Sequence, residues 1–125
     1  MLFSLSFEHF SQEEIDALQL DIRGAVKFLS AQQNVDPQRI GILAAGVTAE
    51  YTVREASANP AAIQSLVLIT GTYSQKSLDF LKSRRELPVL TIVGKDDPKA
   101  VQAASAQPYF VSENKDSLPE PNWAV

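Results

Sequence analysis

The chain has 125 residues, 45% of them hydrophobic and 21% charged, which suits a single globular domain with a real core. Its net charge of −4 excludes the basic footprint of a nucleic-acid binder, and no lysine–arginine cluster is present to hold an anionic membrane. The lack of cysteine excludes disulfides and thiolate metal sites and fits a reducing compartment; a start without the basic region of a secretory leader, and no apolar run near the ~20 residues of a membrane span, complete an expectation of a cytoplasmic protein.

The first ten residues read as an N-terminal arm or an edge strand, because Leu2-Phe3 is followed by the alternation Ser4-Leu5-Ser6-Phe7. Ser11-Gln12-Glu13-Glu14 has the pattern of a capping box. Behind it Ile15, Leu18, Ile22, Ala25, Val26 and Leu29 recur at helical spacing, which predicts one long helix over 12–32. Asn34-Val35-Asp36-Pro37 breaks it, since the residue before a proline disfavours the helical conformation. Arg39 to Ala44 is a short apolar run that predicts a strand buried on both faces. Gly46 permits a sharp turn into a helix over 47–58, which stops before Asn59-Pro60. Ser65 to Thr70 and Pro88 to Val93 predict two more buried strands, closed by Gly71 and Gly94. Between them Ser74 can cap a helix over 75–85, and Asp97-Pro98 starts a last one over 98–106. The core thus runs over 11–107. A tail over 108–125 carries three prolines and at most a short strand at Tyr109-Phe110-Val111, the rest being expected to be extended or poorly ordered; Trp123 there is read as disordered or as an anchor, on a partner or, by preference, on the chain's own body.

Continuous apolar strands separated by helices predict an α/β fold: a three-layer α/β/α sandwich around a short, mainly parallel sheet with right-handed crossovers. The strand at 39–44 comes first, so one of its edges is left open and invites pairing. The expected partner there is a second copy of the chain, a different chain or the N-terminal arm; no nucleic acid and no membrane is expected.

Three segments resemble a known family. Asp21 to Gly41 looks like the lead into the nucleophile strand of dienelactone-hydrolase-like α/β hydrolases. Asn59 to Leu68 resembles the family's next strand, and Leu87 to Pro98 resembles the strand and loop that present its catalytic acid. The likeness spans about residues 12–103, and it implies the C-terminal half to two-thirds of such a fold, cut before the histidine loop. The family turns from strand to helix through a nucleophile elbow, G-x-S-x-G. Counted without gaps, Ala44 takes the place of the first elbow glycine, Gly46 that of the serine and Thr48 that of the next glycine. A register shifted by two residues reads Gly46-Val47-Thr48-Ala49-Glu50 as G-x-T-x-E and makes Thr48 an alternative nucleophile.

Asp97 matches the family's acid, yet Asp-Pro is also an ordinary helix start whose carboxylate caps free N–H groups. The family's histidine follows the acid, and no histidine follows Asp97. His9, the single histidine, is expected to be partly exposed beside a helix N-terminus. Asp96, Asp97 and Glu50 fall near the strand ends, where their convergence would offer oxygen ligands to a metal; the reading nevertheless assigns no metal and no cofactor. The resemblance with its nucleophile and base missing implies a pseudoenzyme that acts by association. The alternative is a component of a serine hydrolase for ester, lactone or thioester bonds, completed by another chain.

Overall fold

The computed structural model describes residues 7–105 and 110–113. The arm at residues 1–6 and Trp123 in the tail lie outside the described residues, and so does the expected strand residue Tyr109.

Ser11 caps the first helix as its pattern predicts. Its hydroxyl accepts the Glu14 N–H at 3.2 Å, and the Glu14 carboxylate accepts the Ser11 N–H at 2.8 Å. The single helix expected over 12–32 is two helices, α1 (Gln12–Asp16) and α2 (Leu18–Ser30). Around Ala17 the ladder tightens, with the Leu20 N–H bonded to the Ala17 carbonyl at 2.9 Å. Asp16 meanwhile accepts the Tyr51 hydroxyl at 2.8 Å, which ties α1 to a helix distant in sequence.

The remaining elements follow in the predicted order: β1 (Gly41–Ala45), α3 (Val47–Ala58), β2 (Ser65–Ile69), α4 (Gln75–Ser83), β3 (Val89–Gly94), α5 (Pro98–Ser105) and β4 (Phe110–Glu113). Ser74 caps α4, its hydroxyl accepting the Ser77 N–H at 3.3 Å. The four strands are all parallel and lie in chain order, β1-β2-β3-β4. This is the α/β fold with a short parallel sheet that the apolar runs predict.

Right-handed crossovers between strands placed in chain order deliver successive helices to the same face. The core confirms that placement. Val26 of α2, Val53 and Ala56 of α3, and Leu81 of α4 pack with Ala44, Leu66, Leu68 and Val89 of the sheet. Ala100 of α5 packs on Val93, which alternates onto the same face as Val89. Leu66 and Leu68 are 1% and 0% exposed, and each such leucine contributes about 1.5–3 kcal/mol by leaving water.

Of the two helical layers expected, the described residues furnish one. The strands predicted to be buried on both faces are buried on one. Leu43, Val67 and Leu90 stand side by side on the other face, and so do Ala45, Ile69 and Ile92. Leu43 is 66% exposed and Leu90 41%. Among the described residues, then, the sheet has a helical face, an apolar face with no layer on it and an edge at β1 with no strand beside it.

Candidate functional site

β1 carries the chain to the C-terminal edge of the sheet, where Gly46 turns it into α3. Gly46 has φ 61° and ψ −133°, a conformation that residues with a Cβ rarely adopt. A Cβ placed on Gly46 would meet no atom within 4 Å, so the turn has room for a side chain and only the backbone disfavours one. The Gly46 N–H bonds the Ile69 carbonyl at 2.9 Å, locking the turn to the end of β2. The turn at Gly46 therefore has a positive φ, with no side chain on it. No side chain caps the start of α3 either.

Thr48 is the second residue of α3, and its hydroxyl donates to the Ala45 carbonyl at 2.7 Å. Gly46, ahead of α3, carries the positive φ of the turn, and Thr48 lies inside the helix. Asp97 follows β3, and its Oδ1 accepts the Ala100 N–H at 3.0 Å, capping α5. Because β2 separates β1 from β3, Gly46 and the Asp97 loop stand two strand spacings apart, about 10 Å. His9 is exposed in the short 3₁₀ turn Phe7–His9 ahead of α1.

No known family, curated protein or solved structure matches this chain. The hydrolase resemblance therefore rests on its residues alone.

A second backbone outlier lies near the turn at Gly46. Thr70, just past β2, has φ 49°, and among the described residues it is the one non-glycine with a positive φ. Its N–H is held by the Ile92 carbonyl at 2.8 Å. The next residue, Gly71, admits Tyr73 and Ala49 so closely that an added Cβ would lie 2.9 Å from the Ala49 Cβ. The loop after β2 is thereby pressed onto the first turn of α3.

Glu50, one of the three carboxylates placed near the strand ends, turns inward. It accepts Arg54 Nε at 2.8 Å and the Ser74 N–H at 3.1 Å. Burial pushes its carboxyl up, but the bonds from Arg54, Ser74 and Ser77 outweigh that and hold it below the usual carboxylate range. Asp96 is exposed and Asp97 is occupied with its cap, so the three do not gather. Among the described residues no group of three histidines or carboxylates is placed to hold a metal ion.

Sequence reasoning missed Glu55. It is 2% exposed, and Arg23 Nε reaches both its oxygens, at 3.0 and 3.2 Å, while Gln19 donates at 3.2 Å and Asn59 closes the set. Burial raises its carboxyl, and Arg23 followed by Gln19 and Asn59 brings it below the ordinary value. A groove of 590 Å³ opens beside these pairs, lined by Gln19, Arg54, Ser57, Ser74 and Lys76. Glu50 already fills the cationic and N–H positions of Arg54 and Ser74 there, so these groups serve the contact between α3 and α4.

The last candidate region is the free edge. The Ile40 carbonyl accepts the N–H of Gln64, just before β2, at 2.8 Å, and the Gly46 N–H donates to the carbonyl of Ile69, the last residue of β2, at 2.9 Å. Peptide groups alternate sides along a strand, so the even positions of β1 face β2. The amides of Leu43 and Ala45 point outward. Thr48 takes the Ala45 carbonyl, which leaves the backbone of Leu43 as the centre of the free edge.

Proposed function

We propose that this chain is a non-catalytic, hydrolase-like protein that works by pairing its β1 edge with a second chain, first of all a second copy of itself. The observation that carries this reading is Gly46: an elbow backbone at φ 61° that presents no nucleophile. The role of Asp97 as a helix cap supports it, with no histidine following it in the sequence, because an acid without a base to orient performs no acyl transfer. The outward amides of Leu43 and Ala45 support the association half, since an unpaired parallel edge is a template for another strand.

Light scattering during size exclusion tests the association, and a serine-reactive phosphonate with p-nitrophenyl esters tests the chemistry. The expected result is a particle of at least twice 13.7 kDa at micromolar concentration, neither labelled nor active. A stable monomer would count against self-association. Labelling of the isolated chain would overturn the non-catalytic reading. Esterase activity that arises only on adding a second, different chain would favour the alternative of a split serine hydrolase.

A further inference from the structure

Glu55 is the most deeply buried charge among the described residues, and neither the turn at Gly46 nor the β1 edge uses it. Its carboxylate lies between α3 and α2. Arg23 of α2 reaches both oxygens through Nε, at 3.0 and 3.2 Å, and one of them again through Nη2 at 3.0 Å. Gln19 of α2 donates at 3.2 Å, and Asn59, just after α3, adds a further bond. Nearer the start of the chain, Asp16 of α1 accepts the hydroxyl of Tyr51 of α3. The apolar attachment of the same two helices is slight. α1 buries no residue, and α2 buries only Val26, its one member of the core cluster. Leu18 and Ile22 stay half-buried, while Leu20 and Phe28 are 60% and 67% exposed.

We propose that α1 and α2 form a flap that acid releases from α3 as one unit while the sheet, α3, α4 and α5 stay folded, with Glu55 as the group that holds the flap down. In the closed form Glu55 is cut off from water, so its ionised state depends on Arg23 and Gln19, and the flap carries both. Lifting the flap returns the carboxylate to water, where it takes up a proton at the ordinary value near about 4.3. Burial raises the closed-form value, and the bonds from Arg23, Gln19 and Asn59 bring it below the ordinary one. The closed form therefore gains stability above the ordinary value and loses it as pH falls through the closed-form value. Between the two values opening takes up one proton at Glu55 and grows about tenfold per pH unit. Asp16, lowered first by the Tyr51 hydroxyl and then by Gln12, acts in the same direction.

The other elements packed on α3 address different groups. α4 turns Ser74 and Ser77 to Glu50, and β1 is wholly apolar. Arg54 pairs with Glu50 at 2.8 Å and lends its charge to Asp16. Arg23 is thus the cation that acts on Glu55, and it leaves with the flap. The topology permits the movement. Both helices precede β1, so their release breaks no hydrogen bond of the sheet. Val35 and Ile40 pack on the core and hold the connecting chain in place behind them.

Native-state amide exchange on the whole protein, corrected for intrinsic rates, reads the flap apart from the rest. The expected result is that protection of the α2 amides at 22–29 falls several-fold between about pH 5 and about pH 3, while Leu68 in β2 and Thr91 in β3 keep theirs. Glu55→Gln should lower the α2 protection already at neutral pH and remove most of its fall in acid. Arg23→Met, at a half-exposed position whose apolar stem is kept, should do the same and decides the matter if Glu55→Gln fails to fold. Loss of protection in α2, β2 and β3 together would mean a single cooperative unit and overturn the proposal. So would α2 protection that stays level across the range, or a fall in acid that both variants leave undiminished. None of these readings depends on pairing at β1, so this proposal and the proposed function fail separately.

Discussion

Two residues carry backbone conformations that the rest of the fold must hold in place, and they predict opposite responses to substitution. Gly46 at φ 61° and ψ −133° suits glycine alone, and the open space around it means that an added methyl group meets no clash. Gly46→Ala should therefore destabilise by about 1–3 kcal/mol through backbone strain alone. Thr70, a β-branched residue at φ 49°, is the reverse case. Left-handed backbone disfavours such a residue by about 1–2 kcal/mol, while glycine loses about 0.5–1 kcal/mol through extra freedom in the unfolded chain. Thr70→Gly should stabilise by up to about 1 kcal/mol. Urea unfolding of both variants checks the pair; a neutral Gly46→Ala would mean that the turn is softer than an elbow. Gly46 was legible in the sequence because a glycine between an apolar run and a helical one has few other uses. Thr70 was not, since a threonine ending a strand looks ordinary and its strain comes from the bonds on either side.

At the scale of elements, polar clasps join helices that share one layer. Asp16 with Tyr51 links α1 to α3, Arg23 with Glu55 links α2 to α3, and Glu50 with Ser74 links α3 to α4. Asp16, Glu50 and Glu55 all sit below their ordinary values in the folded protein, Asp16 chiefly through the Tyr51 hydroxyl. A group whose folded value is lowered adds stability above its unfolded value and loses it as pH falls through the folded one. Melting temperature should therefore be level above about pH 5 and drop below about pH 4. Glu55→Gln should cost about 1–3 kcal/mol at neutral pH and flatten that acid limb. An unchanged limb would place the acid sensitivity elsewhere. Helix starts were readable because caps are local: Ser11, Ser74 and Asp97 each do what their sequence context predicts. The break at Ala17 was not, because no glycine or proline marks it and the Asp16–Tyr51 contact spans 35 residues. Glu50 and Glu55 escaped for a related reason. A charge inside a helix reads as solvated until the partner that buries it is known.

For the molecule as a whole, the sequence states how apolar each strand is but not how many layers there are to cover it. Leu43 and Leu66 look alike in a sequence; one is 66% exposed and the other 1%. The difference arises because all the crossovers place their helices on one side of a sheet laid down in chain order. Leu43 thus has two exposures, its side chain on the apolar face and its amide on the β1 edge, and the proposed association turns on the amide. Proline lacks an N–H and is tolerated in strands where that N–H faces away from the sheet. Leu43→Pro leaves the β1–β2 ladder its even-numbered bonds and removes the central donor from the edge. If two copies pair through β1, the variant should weaken the dimer at least tenfold in light scattering while circular dichroism stays native. Leu43→Lys, which blunts an edge without touching the backbone, keeps the question answerable if proline unfolds the strand. Amide exchange gives the same answer without mutation. The Leu43 N–H should slow as protein concentration rises, whereas the Leu68 N–H, inside the sheet, should stay slow throughout. Fast exchange at Leu43 in a sample that scatters as a dimer would place the interface somewhere other than β1.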